Sequence, residues 1–317
     1  MGASSTAMTL ATIDVGTNTA LLLVARVGPG GAVERIDERA EITRLGRGIG
    51  AGGALGRPGI DATLAALRQY AELARRAGAR IAAVGTEALR RAPNGAEFLG
   101  PGAEILGVPI EVIDGEREAA LTFRAVVESF PETRRGEVVV VDIGGGSTEI
   151  VTAHDGRPTS ARSLPLGSVR LTEQHIRHDP PTAEEVAELR AAVAGGLRDI
   201  PFRPGARLVG VAGTVTSLAA MAESMATYDP ARVHGYRLSR RALDAQIAQL
   251  AASRQADRER IVGLDPRRAD VILAGAVILE GIAAAAGATD VWVSDRGIRW
   301  GLLYELAERT AAAGGRA

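Results

Sequence analysis

Residues 138–150, VVVVDIGGGSTEI, join an apolar strand to residue types that bind phosphate. Glycines in a tight turn let backbone N–H groups converge on an anion, because no Cβ blocks its approach. The hydroxyl groups of Ser147 and Thr148 are further hydrogen-bond donors. Asp142 and Glu149 have the same charge sign as phosphate. Their presence is explained if a divalent cation such as Mg²⁺ lies between the carboxylates and the phosphate.

A second segment repeats this order of residue types. Residues 11–25, ATIDVGTNTALLLVA, are an apolar strand that ends in Asp14, a turn of Gly, Thr and Asn, and another apolar strand. The repeat predicts two domains of similar plan, each opening with a strand–turn–strand unit. Two such turns could hold a phosphate chain from both sides. In a purely structural interpretation, each turn only reverses the direction of the chain.

The composition limits the classes of protein to which the chain can belong. At 317 residues it exceeds what one hydrophobic core usually serves, which favours two domains. It is 46% apolar and 24% charged, and its formal net charge of −1 gives no overall attraction to nucleic acid or to an anionic membrane. The absence of lysine excludes a Walker A loop, and the absence of cysteine excludes disulfides, thiolate catalysis and zinc–cysteine sites.

Strand and helix patterns alternate around the two aspartate turns, which predicts an α/β chain. Thr182 with Glu185 is a capping box and predicts a helix running towards Leu197. The apolar run from Val271 contains Glu280, and we interpret it as a buried helix rather than a membrane span. Further helices are expected at 61–78 and 116–130 and from about residues 239, 267 and 298, and strands at 80–85, 109–113 and 290–294.

Eight segments resemble motifs of the Ppx/GppA phosphatases, which are the exopolyphosphatases and guanosine pentaphosphate phosphohydrolases of the actin/hexokinase/Hsp70 superfamily. They are IDVGTNT from residue 13, VGTEALRRAPN from 84, DGEREA from 114, DIGGGSTE from 142, SLPLGSVRL from 163, GVAGTVTSLA from 210, DPRRADVILAGAVIL from 265 and SDRGIRWGLLYE from 294. Each motif is short, but all eight occur in the family's order. The resemblance is to the short, two-domain members of the family.

This resemblance implies two actin-like (ribonuclease H-like) domains with a cleft between them. We expect residues 1–119 and a returning C-terminal helix, 299–317, to form the first domain, and residues 120–298 to form the second. Arg268 and Arg299 lie in the late motifs, and we expect them to brace the domains through ion pairs. The N-terminus lacks the pattern of a secretion signal, so we expect a cytoplasmic protein with no membrane partner. Two-domain members of the family suggest a homodimer.

The resemblance also implies where the catalytic residues lie. The catalytic glutamate of the family's G-x-E-E-A motif falls on Glu118, which would accept a proton from the water that attacks a terminal phosphoryl group. Glu149 is a second candidate for this base. The family's preceding glutamate is replaced by Arg117, so the motif is altered beside its key residue.

Phosphoryl transfer mainly requires positioning and charge neutralisation. Asp142 and Glu149 are the expected ligands of Mg²⁺. Arg90 is the expected guanidinium contact with phosphate, whereas Arg91 is expected to be a solvated surface charge. The other expected phosphate-binding residues belong to the two turns: Asp14, Gly16, Thr17, Asn18 and Thr19 in the first, and Gly144, Gly145, Gly146, Ser147 and Thr148 in the second.

Two other patterns have a simpler structural interpretation. The glycines of residues 46–53, GRGIGAGG, fit G-x-G-x-x-G, but Pro58 follows where a helix should already be established, so we expect no dinucleotide site. His175 and His178 lie three positions apart, as metal ligands on a helix can. Since two prolines follow directly, we interpret the histidines as a surface pair at a helix end.

The sequence therefore predicts a Mg²⁺-dependent exopolyphosphatase that removes terminal phosphate from inorganic polyphosphate. The main alternative is a guanosine pentaphosphate (pppGpp) 5′-phosphohydrolase of the stringent response, which would need a guanosine pocket near Gly213, Thr214 and His234. A loop hydrogen bond is the simpler role for His234. The sequence is also compatible with a non-catalytic sensor of polyphosphate or alarmone, an alternative that the Arg117 replacement leaves open, and with a kinase of the same superfamily. Nucleic-acid binding is not expected, since only 3% of residues are aromatic.

Overall fold

The structure is a computed structural model that describes residues 7–49 and 53–314. Contacts between residues divide the chain into two compact units. The first unit consists of Met1–Leu121 and Ile298–Ala317, and the second is Thr122–Gly297. The first unit is thus built from two separate stretches of sequence, because the last helix returns to it.

The described residues form strands and helices in alternation along most of the chain. The strands are β1 (Met8–Val15), β2 (Thr19–Val27), β3 (Val33–Ile42), β4 (Arg80–Gly85), β5 (Ile110–Val112), β6 (Glu137–Ile143), β7 (Thr148–His154), β8 (Arg157–Leu164), β9 (Arg207–Val211), β10 (Arg237–Ser239) and β11 (Asp290–Val293). The helices are α1 (Arg57–Arg76), α2 (Glu87–Arg91), α3 (Ala96–Leu106), α4 (Gly115–Ser129), α5 (Ser168–His175), α6 (Ala183–Gly196), α7 (Ala212–Ala222), α8 (Pro230–Val233), α9 (Arg240–Ala252), α10 (Gln255–Arg258), α11 (Ile272–Ala285) and α12 (Ile298–Gly314).

The first unit is built on a five-stranded sheet in the order β3-β2-β1-β4-β5. Strand β1 pairs antiparallel with β2 and parallel with β4. Both β1 and β2 are largely buried along their length, which explains why their sequences are almost continuously apolar. Helices α1 and α3 supply the largest fully buried side chains of this core, Tyr70 and Phe98. Helix α12 packs against β1, where the Thr12 hydroxyl donates to the Arg299 carbonyl at 2.8 Å.

The second unit repeats this plan in a six-stranded sheet, β10-β11-β9-β6-β7-β8. Strand β6 takes the place of β1, because it pairs antiparallel with β7 and parallel with β9. The two aspartates occupy the same position in this arrangement: Asp14 pairs with Leu21 and Val84, and Asp142 pairs with Glu149 and Val211. The prediction of two domains of similar, actin-like plan is therefore confirmed.

A separate hydrophobic core fills the second unit, and helix α11 lies at its centre. Nearly every apolar side chain of α11 is buried, as the run from Val271 predicted. Its one acidic residue, Glu280, accepts a hydrogen bond from Arg190 of α6 at 2.8 Å, which explains how a carboxylate is tolerated on so apolar a helix. None of the helices in the described residues combines the length and hydropathy needed to cross a lipid bilayer.

The predicted elements are found with small shifts of their ends. The capping box at Thr182 and Glu185 is formed in full. The largest difference is at the helix expected from about residue 267, because Pro266–Arg268 form a 3₁₀ turn and α11 begins only at Ile272. The Asp265 side chain accepts from the N–H of Arg267 and thereby stabilises this separate turn.

Candidate active site

The turn between β1 and β2 is closed by a hydrogen bond from the Gly16 N–H to the Thr19 carbonyl, at 3.0 Å. The carbonyl groups at the tip of this turn accept hydrogen bonds from N–H groups of residues 43–46. The Gly46 N–H donates to the Thr17 carbonyl at 2.8 Å, and the N–H groups of Thr43 and Arg44 donate to the carbonyl of Asn18 at 3.0 Å. These contacts fix the orientation of the peptide groups in the turn.

The turn between β6 and β7 has the same construction. The Gly144 N–H closes it by donating to the Ser147 carbonyl at 3.0 Å. The first N–H groups of α5 hold it from behind, since those of Ser168 and Val169 donate to the carbonyls of Gly144 and Gly145, each at 2.9 Å. The Arg170 side chain donates through Nε to the Gly146 carbonyl at 2.8 Å.

Fixing these carbonyls also fixes the amide groups. In a trans peptide the N–H lies opposite the carbonyl of the same plane, so the N–H groups of Gly145, Gly146 and Ser147 lie on the side away from α5. Within the described part of the chain, no group accepts a hydrogen bond from these three N–H groups, nor from those of Thr17 and Asn18. Each turn is therefore an amide-lined site suited to an anion.

Some of the expected donors in these turns are already used. The N–H groups of Gly16 and Gly144 close the turns, so these two glycines contribute no amide to phosphate. Thr148 requires a correction. Its side chain is fully buried and its hydroxyl donates to the Leu166 carbonyl, so it cannot donate to phosphate as expected.

Two buried carboxylates lie side by side in the second unit. Asp142 and Glu149 are opposite each other across β6 and β7, which places their side chains on the same face of the sheet, and they are only 6% and 2% exposed. Like charges in this position repel each other unless a cation compensates them. Hard oxygen donors at this spacing fit Mg²⁺, which binds through one or two carboxylates and takes its remaining ligands from phosphate and water.

Hydroxyl groups hold both carboxylates in place. The Glu149 Oε1 atom accepts from the hydroxyls of Ser147 at 2.8 Å and Ser163 at 2.6 Å. The Asp142 Oδ2 atom accepts from the hydroxyl of Thr122 at 3.1 Å. The Ser147 hydroxyl, expected to donate to phosphate, thus donates its hydrogen bond to Glu149. Sequence reasoning missed Thr122 and Ser163, although Ser163 opens one of the eight family-like motifs.

In the part of the chain that the structure describes, no larger group of metal-binding side chains accompanies this pair. Among residues 7–49 and 53–314, no three His, Cys, Asp or Glu side chains are grouped in a way that could hold a metal ion. A Mg²⁺ ion at Asp142 and Glu149 could also be bound by substrate phosphates, as is usual for this cation.

Glu118 lies in the first turn of α4 in the first unit, where it is buried. The Arg90 Nη1 atom donates to Glu118 Oε2 at 2.8 Å and to the Ile113 carbonyl at 2.7 Å. Arg90 thus ties α2 to the start of α4 and provides a positive charge beside the proposed base. The sequence placed both residues at the site but did not predict that they contact each other.

Glu87 is a further residue of this region that sequence reasoning missed. It is buried at the start of α2, and its carboxylate accepts from the Thr17 hydroxyl at 3.1 Å. Arg91, expected to be a surface charge, pairs with the same carboxylate at 3.1 Å. Glu87 therefore fixes the Thr17 side chain in the first turn, much as Glu149 fixes that of Ser147 in the second.

Arg117, which replaces a glutamate of the family motif, points to the neighbouring helix. Its guanidinium forms an ion pair with Glu305 of α12, and its N–H donates to the Asp114 carboxylate at 2.8 Å. Helix α12 also lies very close to α4 at Gly301, where a Cβ would overlap the carbonyl of Leu121. These contacts anchor the N-terminal part of α4, which carries Glu118.

The two arginines expected to brace the domains each have a contact in their own unit. The Arg299 Nε atom donates to Glu38 at 2.9 Å, and both residues belong to the first unit. Burial would raise the pKa of the Glu38 carboxyl, but pairing with Arg299 and Arg35 outweighs this effect and lowers the pKa. In the second unit, the Arg268 guanidinium lies directly against Gly213.

The residues suggested for a guanosine pocket have defined contacts in the second unit. Gly213 and Thr214 belong to the first turn of α7, and Thr214 is buried. The His234 ring stacks on Phe130 at a centroid distance of 4.7 Å and accepts from the Asp295 N–H at 3.3 Å. Burial and the nearby Arg296 charge lower the pKa of His234 to about 4, so the ring is neutral near pH 7. His234 thus has the loop hydrogen bond that was the simpler expectation.

The remaining sequence patterns have the following contacts in the described residues. His175 ends α5, and His178 pairs with Glu185 at 2.9 Å. In the glycine-rich segment 46–53, Gly50 lies outside the described residues. Gly46 has a defined packing role, because a Cβ there would overlap the methyl group of Thr17.

The chain is similar to known phosphatases over nearly its whole length. The model of the Ppx/GppA phosphatase family matches residues 23–310. Exopolyphosphatase 2 of Mycobacterium tuberculosis is 37% identical over 315 residues, covering 94% of this chain and 98% of its own length. Exopolyphosphatase 1 of Mycobacterium bovis is 31% identical over 310 residues, covering 96% of this chain and 90% of its own. A solved structure of the Aquifex aeolicus PPX-GPPA enzyme has a TM-score of 0.81 at 36% identity, covering 95% of this chain and 100% of that one.

Proposed function

Because the chain belongs to the Ppx/GppA phosphatase family, we propose that this phosphatase removes the terminal phosphate of inorganic polyphosphate in a Mg²⁺-dependent hydrolysis. The observation that carries the proposal is the pair of amide-lined turns. Five N–H groups, at Thr17, Asn18, Gly145, Gly146 and Ser147, have no acceptor in the described part of the chain. Polyphosphate offers a row of anionic oxygens, which are the acceptors that such amides bind best.

In the proposed reaction, the protein positions the polyphosphate and accepts one proton from the attacking water. The amides of the two turns bind phosphoryl oxygens and stabilise the charge on them. Glu118 accepts a proton from the attacking water, and Arg90 keeps the Glu118 carboxylate oriented. Asp142 and Glu149 would hold Mg²⁺, which when bound neutralises phosphate charge. Glu149 is the second candidate for the base.

Two further expectations from the sequence belong to this proposal. We expect the protein to act in the cytoplasm and to form a homodimer. The guanosine pentaphosphate alternative would use the same catalytic residues, and the choice of substrate distinguishes the two activities.

Phosphate release from defined substrates tests the proposal. The substrates are short and long polyphosphate, pppGpp and ATP, each with and without Mg²⁺. Wild type should release phosphate from polyphosphate only with Mg²⁺, and Glu118→Gln should lower kcat by about 10²- to 10⁴-fold, because the amide cannot accept the proton. Glu116→Gln is the matched control, since Glu116 is an exposed acid on the same turn of α4.

Each other outcome would point to a different function. Hydrolysis of pppGpp but not of polyphosphate would make the protein a guanosine pentaphosphate phosphohydrolase. Binding of polyphosphate without release of phosphate would indicate a sensor. Full activity of Glu118→Gln would exclude Glu118 as the base and direct attention to Glu149.

A further inference from the structure

The Glu149 carboxylate is held through a single oxygen by two serine hydroxyls. Ser147 and Ser163 donate to Oε1 at 2.8 and 2.6 Å. Ser147 belongs to the phosphate-binding turn that precedes Glu149. Ser163 comes from β8, fourteen positions further along the chain.

The position of Ser163 follows from the pairing of the strands. Ser163 lies directly opposite Glu149 in the antiparallel pair of β7 and β8, so the two side chains project from the same face of the sheet. The one irregularity of this pair lies further along, between Thr152 and Ala153, and leaves the register at Ser163 regular. Ser163 is itself exposed at the edge of the sheet, and its hydroxyl reaches inward to a buried acid.

Two donors on one oxygen restrict what the carboxylate can do. A carboxylate oxygen has two lone-pair sites, and in Glu149 both sites of Oε1 are occupied by hydroxyl groups. The two hydroxyls thus direct Oε2 rather than Oε1 towards a role at a cation or at water beside the reacting phosphate. The two hydroxyls also hold a side chain that otherwise has three rotatable bonds.

We propose that Ser163 is a positioning residue that, together with Ser147, orients the Glu149 carboxylate so that Oε2 acts on the reaction. The inference rests on the proposed function of Glu149 as a cation ligand or base. Such outer partners of a cation ligand typically change cation affinity or activity by about 10- to 100-fold when they are removed.

Three variants on one strand test this role. Ser163→Ala removes the hydroxyl, Ser163→Thr restores one, and Ser160→Ala alters the same strand on its opposite face, which makes it the matched control. Two readouts are needed: kcat and KM with polyphosphate, and Mn²⁺ affinity measured without substrate by electron paramagnetic resonance. Thermal unfolding of each variant checks that the strand is intact.

Ser163→Ala should lower kcat by about 10-fold, leave KM nearly unchanged and weaken Mn²⁺ binding by about 10-fold. Ser163→Thr should recover most of both losses, and Ser160→Ala should match wild type. Equal kcat and equal Mn²⁺ affinity in Ser163→Ala and wild type would overturn the proposal. If wild type hydrolyses none of the phosphate substrates, the proposed function fails, whereas the Mn²⁺ titration still decides whether Ser163 orients Glu149.

Discussion

At the scale of single residues, Arg90 adds a contact with the proposed base to the phosphate-binding role that the sequence predicted for it. Its Nη1 atom contacts Glu118 and the Ile113 carbonyl. In the described part of the chain, the other N–H groups of this guanidinium make no hydrogen bond, so the same side chain can orient the base and still offer donors to phosphate. Lysine could not do both, because its ammonium lacks the planar arrangement of several donors.

We therefore predict that Arg90→Ala lowers kcat/KM for polyphosphate by about 10²-fold, the usual effect of losing one strong donor to the transition state. Arg90→Lys should recover only part of this loss. Steady-state kinetics of phosphate release measures both. Arg68→Ala, which alters an exposed arginine on α1, is the control. Activity of Arg90→Ala within twofold of wild type would show that neither role holds.

At the scale of elements, helix α5 and the turn between β6 and β7 are structurally coupled. The N–H groups at the start of α5 donate to the carbonyls of Gly144 and Gly145. The partial positive charge of the helix N-terminus polarises these peptide groups, which makes their outward N–H groups better donors to an anion. Gly167 permits the close approach, because a Cβ there would overlap the backbone of Gly145 and Gly146.

Gly167→Ala should therefore impair both stability and activity. We expect a loss of about 1–3 kcal/mol in the free energy of unfolding, as is typical of overpacking, and at least about a 10-fold loss of kcat as the amides move. Urea unfolding and phosphate release measure the two effects. The control is Gly195→Ala in α6, where a Cβ would meet open space and the helix should gain about 0.5–1 kcal/mol. Wild-type activity in Gly167→Ala would disprove the coupling.

At the scale of the whole molecule, two groups of the second unit contribute to how stability responds to acid. The pKa of His234 falls from 6.5 to about 4 through burial and the Arg296 charge. Burial alone would raise the pKa of Glu185, but hydrogen bonds from His178 and from the N–H groups of Thr182 and Arg177 outweigh it and lower the pKa from 4.5 to about 2.

Both shifts lower stability as the pH falls, but in different ranges. Unfolded His234 binds a proton below pH 6.5 while the folded ring stays neutral, so its contribution is complete above 6.5 and declines as the pH falls towards 4. The contribution of Glu185 is complete above 4.5 and declines as the pH falls towards 2. Urea unfolding from pH 7 to 3 measures how the free energy of unfolding depends on pH. This dependence should become weaker between pH 6.5 and 4 in His234→Gln, and weaker below pH 4.5 in Glu185→Gln. Unchanged slopes would contradict the assignment.

Much of the fold could be predicted because its signals are local. The repeated strand–aspartate–turn pattern indicated two units of one plan, and the alternation of apolar segments located most strands and helices. The start of α11 was misplaced, because the Asp265 side chain stabilises a separate 3₁₀ turn at Pro266–Arg268. The roles of Glu118, Asp142 and Glu149 in the reaction stay predictions.

The sequence by itself determined which residue types meet at each turn, because β1 with β2 and β6 with β7 are adjacent in the chain. Only the tertiary structure decided which donors and acceptors are already used. Thr17 meets Glu87 from a segment 70 positions away, and Glu149 meets Ser163 through the register of a further strand. Thr148 donates to Leu166 rather than to a ligand. Such pairings depend on how distant segments pack, and packing fixes side-chain direction in a way that residue type and spacing do not.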